Sequence, residues 1–262
     1  MMKKIVQFIF GFNVASLIRG LRFGLWELFD GSISAFCFLR PFQNSEARTA
    51  QLLLATIPKL ALGDILADRK SAIQLRVQQY EDGMLPNHEA MALLSILVVE
   101  SPREVLEIGT FMGHTTKAMA ENLPESIIHT VDLPLDFSEP TKANPNIPKD
   151  DFHLITRRVV GREFQDQIFA SRIRQHFGDT ALVDFKKFGQ PTFFFVDGSH
   201  TYEYCRQDSE KCYALCGGRG TFLWHDCDAG HPGVVKFIAE WRALGRNITR
   251  IEGTSMAYWK NP

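Results

Sequence analysis

The sequence predicts an α/β fold, a doubly wound and mainly parallel sheet of seven strands with an antiparallel last strand, behind a helical N-terminal extension. Three observations carry this. Short apolar runs alternate with helical patterns between Glu104 and Asp226, as in a parallel sheet covered on both faces. Several of these runs end directly on Gly or Asp, where open α/β sheets gather their ligands. The last two runs, NITRIEG and SMAYWK, lie too close together for a crossover and must form an antiparallel hairpin.

Residues 1–80 read as the extension, with helical segments near 5–29, 46–57 and 66–80. The first begins with two lysines and an apolar run, but Gln7, Asn13, Arg19 and Arg22 interrupt it too often for a membrane span. No small-x-small cleavage site follows, so a signal peptide is not indicated. The segment reads as a hydrophobic helix with basic edges that docks within the protein or in a homodimer; contact with a membrane surface is the alternative. Gly83 and Pro86 break the pattern and set a boundary, after which residues 81–262 form the main domain.

Within that domain Asn87 caps a helix to about Val99, ended by Ser101-Pro102. Strand EVLEI (104–108) and a helix over 113–122 follow, then strand IIHTVD (127–132) and a Pro-rich loop from Pro134 to Pro148. A helix over 161–171 leads into strand IRQHF (173–177), and TFFFVD (192–197) is the fourth strand. The helix over 201–216 is stopped by Gly217-Gly218; strand TFLWHD (221–226), a helix over 232–244 and the hairpin complete the chain.

The 262 residues, 45% hydrophobic, suffice for one sizeable core. A net charge of -1 gives no basic excess and argues against nucleic acid as a partner. The five cysteines, an odd number with four between Cys205 and Cys227, indicate a reducing, cytoplasmic setting rather than a disulfide framework. They contain no C-x-x-C pair, and Cys205, Cys212 and Cys216 share a helix face, which reads as core packing rather than a zinc site.

The chemistry concentrates in VLEIGTFMGHTT. Gly109 permits a tight turn at the strand exit, and Gly113 lets a ligand or the next helix come close. The spacing G-T-F-M-G lacks the G-x-G-x-x-G of a dinucleotide site, and Glu107 disfavours a phosphate. A carboxylate here favours a cationic or donor-rich ligand, while Asp132 at the next strand end suits the two hydroxyls of a ribose. A nucleoside with a positively charged appendage fits both, and S-adenosylmethionine has that description.

Taken in order, E-I-G-T-F-M-G, T-V-D, G-D-T, F-V-D-G-S-H-T-Y, G-G and W-H-D resemble the class I S-adenosylmethionine-dependent methyltransferases. Within them the chain is similar to small-molecule methyltransferases whose fourth strand ends in D-G-x-H-x-Y and whose fifth ends in H-D. The resemblance covers roughly residues 80–262 and implies a Rossmann-like sheet. It implies that Glu107, Gly109, Thr110 and Gly113 line the methionine part of the cofactor and that Asp132 binds the ribose, with Leu133 beside the adenine. It also places Asp179 and Thr180 at the adenine amino group, and Asp197 between the methyl and the substrate.

For transfer to an oxygen, the acceptor proton must be removed and the sulfonium held in line. Asp197, His200, His225 and Asp226 are the groups in reach, with Asp197, His200 and Asp226 as the catalytic set. Strand alternation turns His225 and Asp226 to opposite sides, with one of them pointing away from the cleft. Some related O-methyltransferases hold Mg2+ with strand-end acids, which here match Asp197 and Asp226, whereas Cys227 stands where a third oxygen ligand is expected. The expected activity is methyl transfer to a small molecule at a hydroxyl. The alternatives are a non-catalytic cofactor-binding or interaction protein and an NAD(P)-dependent oxidoreductase.

Overall fold

The structure is a computed structural model that describes residues 45–67, 69–77, 79–81, 83–134 and 159–262. The helix expected over 5–29, with its docking or membrane role, and most of the Pro-rich loop lie outside these residues.

Helix α1 (Ser45–Thr56), strand β1 (Lys59–Leu60), helix α2 (Leu62–Leu66) and helix α3 (Asn87–Glu100) come first. Then follow β2 (Glu104–Ile108), α4 (His114–Asn122), β3 (Ile127–Asp132), β4 (Ile173–Phe177) and β5 (Phe193–Val196). The chain closes with α5 (Tyr202–Leu215), β6 (Gly220–Trp224), α6 (Pro232–Ala243), β7 (Thr249–Ile251) and β8 (Ala257–Asn261).

The sheet order is β1-β7-β8-β6-β5-β2-β3-β4. Strands β2 to β6 run parallel; β8 is antiparallel to β6 and β7. This is the Rossmann-like architecture that the alternating pattern predicts. The sheet has eight strands rather than seven because two residues, Lys59 and Leu60, pair in parallel with Arg250 and Ile251 at the edge. A two-residue strand has no periodicity to read. The compact unit that carries the sheet begins at Ser45, and Ala50 and Leu54 of its first helix, with Ile57 just after it, are buried in the core.

Burial on both faces explains the continuous apolar strands. Phe194, Phe222 and Trp224 pack with Phe237 and Trp241 of α6 and the cysteines of α5. Phe193, Phe195, Val105 and Ile128 face the other way, onto Leu93, Leu94 and Leu97 of α3 and Met119 of α4. Cys205 and Cys212 are buried free thiols, as their shared helix face predicts.

Two expected helices are absent from the described residues. Only Leu62–Leu66 is helical near 66–80, closed by Ala67 in the left-handed region at φ 48°. Beyond it Ile73 and Leu75 pack on the core while Gln74 and Arg76 are exposed, a period of two rather than 3.6. The side chain of Asn122 supplies both hydrogen bonds to the main chain of Gln74, at 2.7 and 2.8 Å, replacing a helical ladder. Over 161–171 the chain forms successive i+3 turns and a 3₁₀ turn at Ala170–Arg172. Its first donors are taken elsewhere: the N–H of Gly161 bonds the carbonyl of Phe111, and that of Glu163 bonds the carbonyl of Met112. The segment is fastened to the glycine loop, and this tertiary pairing overrides its helical pattern.

Candidate active site

The site lies along the carboxyl ends of β2, β3, β4, β5 and β6. Gly109 has φ 99°, and a Cβ on it would lie 1.9 Å from the carbonyl oxygen of Asp197. Gly113, the N-cap of α4, has φ 90°, and a Cβ there would meet the Phe164 ring at 2.7 Å. Both clearances therefore serve the protein's own packing. Gly109 brings the β2 exit against the β5 exit, and Gly113 admits the segment that covers the loop.

Glu107 is fully buried. Its Oε2 accepts from the Thr116 hydroxyl and from the Thr130 hydroxyl, the latter at 2.6 Å. Its Oε1 is buried and has no hydrogen-bond partner among the described residues. Burial pushes this carboxyl up to about 8, against the lowering effect of the two threonines. Thr130 Oγ1 lies 2.7 Å from Thr110 Oγ1, which accepts from Gln175 Nε2 at 3.2 Å. With Thr130 donating to Glu107, these bonds run in one direction from Gln175 through Thr110 to the carboxylate. Thr110 was expected from the sequence; Thr116, Thr130 and Gln175 were not, although a buried acid demands such partners.

Asp132 closes the loop. Its Oδ2 accepts from the N–H of Phe111, a residue at φ 50°, and its Oδ1 from the N–H of Leu133, both at 2.7 Å. Asp179 follows β4 and is buried. Its Oδ1 accepts from the N–H of Ala181 at 2.8 Å and the hydroxyl of Tyr204 at 2.9 Å. Its Oδ2 is a second buried acceptor with no partner among the described residues. Thr180 is buried beside it, its carbonyl accepting from Lys211 Nζ.

The second group gathers around Asp226. His225 Nε2 lies 2.7 Å from Glu89 Oε2, and its Nδ1 lies 3.1 Å from Asp197 Oδ1 and 3.2 Å from Asp226 Oδ2. His200 Nε2 is 2.8 Å from Asp226 Oδ2, and His231 Nδ1 is 3.4 Å from Asp226 Oδ1. His225 and Asp226 thus do not face opposite sides, contrary to expectation. Asp226 has φ 58°, in the left-handed region, so the strand alternation ends before it and its carboxylate folds back onto the His225 ring.

Burial opposes a charge on His225, yet Asp197 and Asp226 outweigh it and raise its pKa well above the usual range. Burial likewise opposes ionisation of Asp226, but His225 and His200 hold its carboxyl well below the ordinary value. With acids at both ring nitrogens, His225 is an imidazolium that ties Asp197 to Asp226. Glu89, from the first turn of α3, completes the clamp and also accepts from the N–H of Ser255 at 2.5 Å. Glu89 was not expected from the sequence. The available signal was an acid on the otherwise apolar helix α3.

These donors do not suit Mg2+ on Asp197 and Asp226. Magnesium requires a near-octahedral oxygen shell, and here the His225 ring nitrogen Nδ1 lies between the two carboxylates, 3.1 Å from Asp197 Oδ1 and 3.2 Å from Asp226 Oδ2. The third position is Cys227, buried with its thiol pushed up to about 12 by burial, and it offers no ligand.

Residues 106–227, which contain most of this site, match the family described as a methyltransferase domain. No curated protein matches the chain in sequence. Among solved structures, the O-methyltransferase TomG from Streptomyces achromogenes, in complex with SAM, is 15% identical with a TM-score of 0.48 over 90% of this chain and 98% of its own. An SAH-bound methyltransferase from Podospora anserina is 16% identical with a TM-score of 0.47, covering 85% and 99%. An O-methyltransferase from Bacillus cereus, in complex with SAH, is 12% identical with a TM-score of 0.45, covering 85% and 94%. The family match agrees with the resemblance read from the motifs over the segment from Leu106 to Cys227.

Proposed function

We propose that the protein transfers a methyl group from S-adenosylmethionine to a hydroxyl of a small molecule. The observation that carries this reading is a pair of buried carboxylate oxygens with no partner among the described residues, Glu107 Oε1 and Asp179 Oδ2, on either side of Asp132 at the ends of adjacent strands. An unsatisfied buried acceptor is costly unless a ligand donor meets it. An adenosyl cofactor with an ammonium tail supplies suitable donors: the ammonium for Glu107, the ribose hydroxyls for Asp132 and the adenine amino group for Asp179. Leu133 and Thr180 then flank the base, and Thr110 and the backbone at Gly109 and Gly113 border the methionine part. A pyrophosphate-bearing dinucleotide would set an anion against Glu107, which disfavours the oxidoreductase reading.

Asp197 is assigned as the group that takes the acceptor's proton. It stands at the end of β5 against the Gly109 turn, and among the described residues His225 Nδ1 engages its carboxylate at 3.1 Å. Asp226 is more deeply committed, to His225, His200 and His231, and serves to position them. His200 borders the acceptor side. The methyl passes directly from sulfur to oxygen; the sulfur keeps the electron pair of the broken bond, and S-adenosylhomocysteine leaves. Alignment of the two reactants supplies most of the acceleration. No helix among the described residues is long and apolar enough to cross a membrane. Incubating the chain with methyl-labelled cofactor and a panel of hydroxylated metabolites tests the reading; cofactor binding with no labelled product from any acceptor would leave the non-catalytic alternative.

A further inference from the structure

We propose that Asp208 is a positioning residue for the base of the cofactor: through the Thr180 hydroxyl it fixes the turn after β4, so that Asp179 Oδ2 accepts an adenine amino group and rejects a 6-oxo base. The inference rests on the methyltransferase reading and extends it to a residue of α5. Asp208 lies in the middle of that helix and is 2% exposed, with the buried thiols of Cys205 and Cys212 beside it. Its carboxylate accepts from the Thr180 hydroxyl, and its Oδ1 is buried with no hydrogen-bond partner among the described residues. Methyl transfer itself makes no use of this acid. A carboxyl kept here with one oxygen unsatisfied costs stability that an apolar side chain on the inner face of α5 would not.

Three side chains of α5 grip the same turn. Tyr204, Asp208 and Lys211 follow one another at i, i+4 and i+7 and so share one helix face. The Tyr204 hydroxyl donates to Asp179 Oδ1 at 2.9 Å. Lys211 Nζ donates to the carbonyl of Thr180, to that of Ala181 at 3.0 Å and to that of Val183 at 3.4 Å. Its three hydrogens are thereby taken, and it acts on Asp208 only through its field. Burial pushes the Asp208 carboxyl up to about 7, against the lowering effects of Thr180 and Lys211. The turn is closed by the N–H groups of Leu182 and Val183, each 2.9 Å from the Asp179 carbonyl oxygen. With Oδ1 held by Tyr204 and by the N–H of Ala181, the Asp179 carboxylate cannot swing, and Oδ2 is the oxygen it offers a ligand. A fixed acceptor pairs with an amino group and opposes a carbonyl oxygen at the same place. Thr180 is the link: Lys211 holds its main chain and Asp208 its hydroxyl, so releasing the hydroxyl loosens the residue next to Asp179.

The test titrates the full chain with S-adenosylhomocysteine and with its 6-oxo analogue, S-inosylhomocysteine, by calorimetry. Asp208→Ala should weaken binding of S-adenosylhomocysteine about tenfold and leave the weaker binding of the 6-oxo analogue nearly unchanged, so that the ratio of the two affinities narrows. Thr180→Val breaks the same bond from the other side and serves if the alanine form fails to fold; the double variant should bind no worse than either single one. Asp208→Asn keeps an acceptor for Thr180 and should restore affinity to within about twofold of wild type. It also removes a carboxyl that burial keeps neutral up to about 7, so its melting temperature at pH 8 should not fall below that of wild type. Replacement of the exposed Glu203 of α5 by Gln should leave binding unaltered. Equal affinity in wild type, Asp208→Ala and Thr180→Val, an unchanged ratio between the two ligands, or a loss in Asp208→Asn as large as in Asp208→Ala would each overturn the proposal. Wild type that binds neither ligand would instead sink the methyltransferase reading, and the proposal with it, so the two failures are told apart.

Discussion

Replacing Glu107 by Gln probes the buried carboxyl on which the cofactor reading turns. Gln fills the same space and can still accept from Thr116 and Thr130, but it cannot ionise. The wild-type carboxyl rises from 4.5 to about 8 on folding. A raised carboxyl favours the neutral form in the folded state. Its contribution to stability is therefore complete below the unfolded value and is lost progressively as pH climbs from 4.5 toward about 8. At about 1.36 kcal/mol per pH unit, that interval amounts to about 5 kcal/mol, an upper figure for one fully buried group. Urea unfolding of wild type and Glu107→Gln at pH 5 and pH 8 reads it directly. The variant should gain several kcal/mol on the wild type between the two conditions, because other titrating groups are common to both. The same group ties stability to binding. An ammonium opposite Oε1 favours the ionised form, so cofactor binding near pH 7 should release up to about one proton, seen by calorimetry in buffers of different ionisation enthalpy. A stability difference that does not move between pH 5 and pH 8, together with binding that releases no proton, would refute the assignment.

Other outcomes follow from the same geometry. Asp132→Ala strands the N–H groups of Phe111 and Leu133 and removes the ribose acceptor, so affinity for S-adenosylhomocysteine should fall about 10- to 100-fold by calorimetry. Asp179→Asn keeps an oxygen for Tyr204 and Ala181 but turns an amide toward the adenine amino group, and should weaken binding about tenfold with little change in melting temperature. Asp197→Asn should lower kcat about 100-fold or more in the labelled-methyl assay while cofactor affinity holds. Gly109→Ala drives a Cβ into the Asp197 carbonyl from a positive φ, and should cost more than about 3 kcal/mol in denaturant unfolding.

The apolar strands and the residues that end them were legible because burial on both faces leaves a continuous hydrophobic run and a ligand-facing polar terminus. Gly109, Asp132, Asp179, Asp197 and Asp226 all fall at or just beyond those ends in the structure. What escaped has tertiary causes. The two lost helices gave their backbone partners to Asn122 and to the glycine loop, side chains and carbonyls distant in sequence. The two glycines look like space for a ligand, yet their clearance is filled by Asp197 and Phe164. The meeting of His225 with Asp226 depends on one left-handed residue that no periodicity announces. Glu89 lies more than a hundred positions from His225, and only the packing of α3 on the sheet joins them.

The most direct measurement is calorimetric titration of the full chain with S-adenosylhomocysteine, alongside Glu107→Gln and Asp132→Ala. The account predicts one site per chain, proton release in the wild type near pH 7, no such release in Glu107→Gln, and a large loss of affinity in Asp132→Ala. Absence of binding by the wild type, or equal affinity across all three proteins, would contradict it.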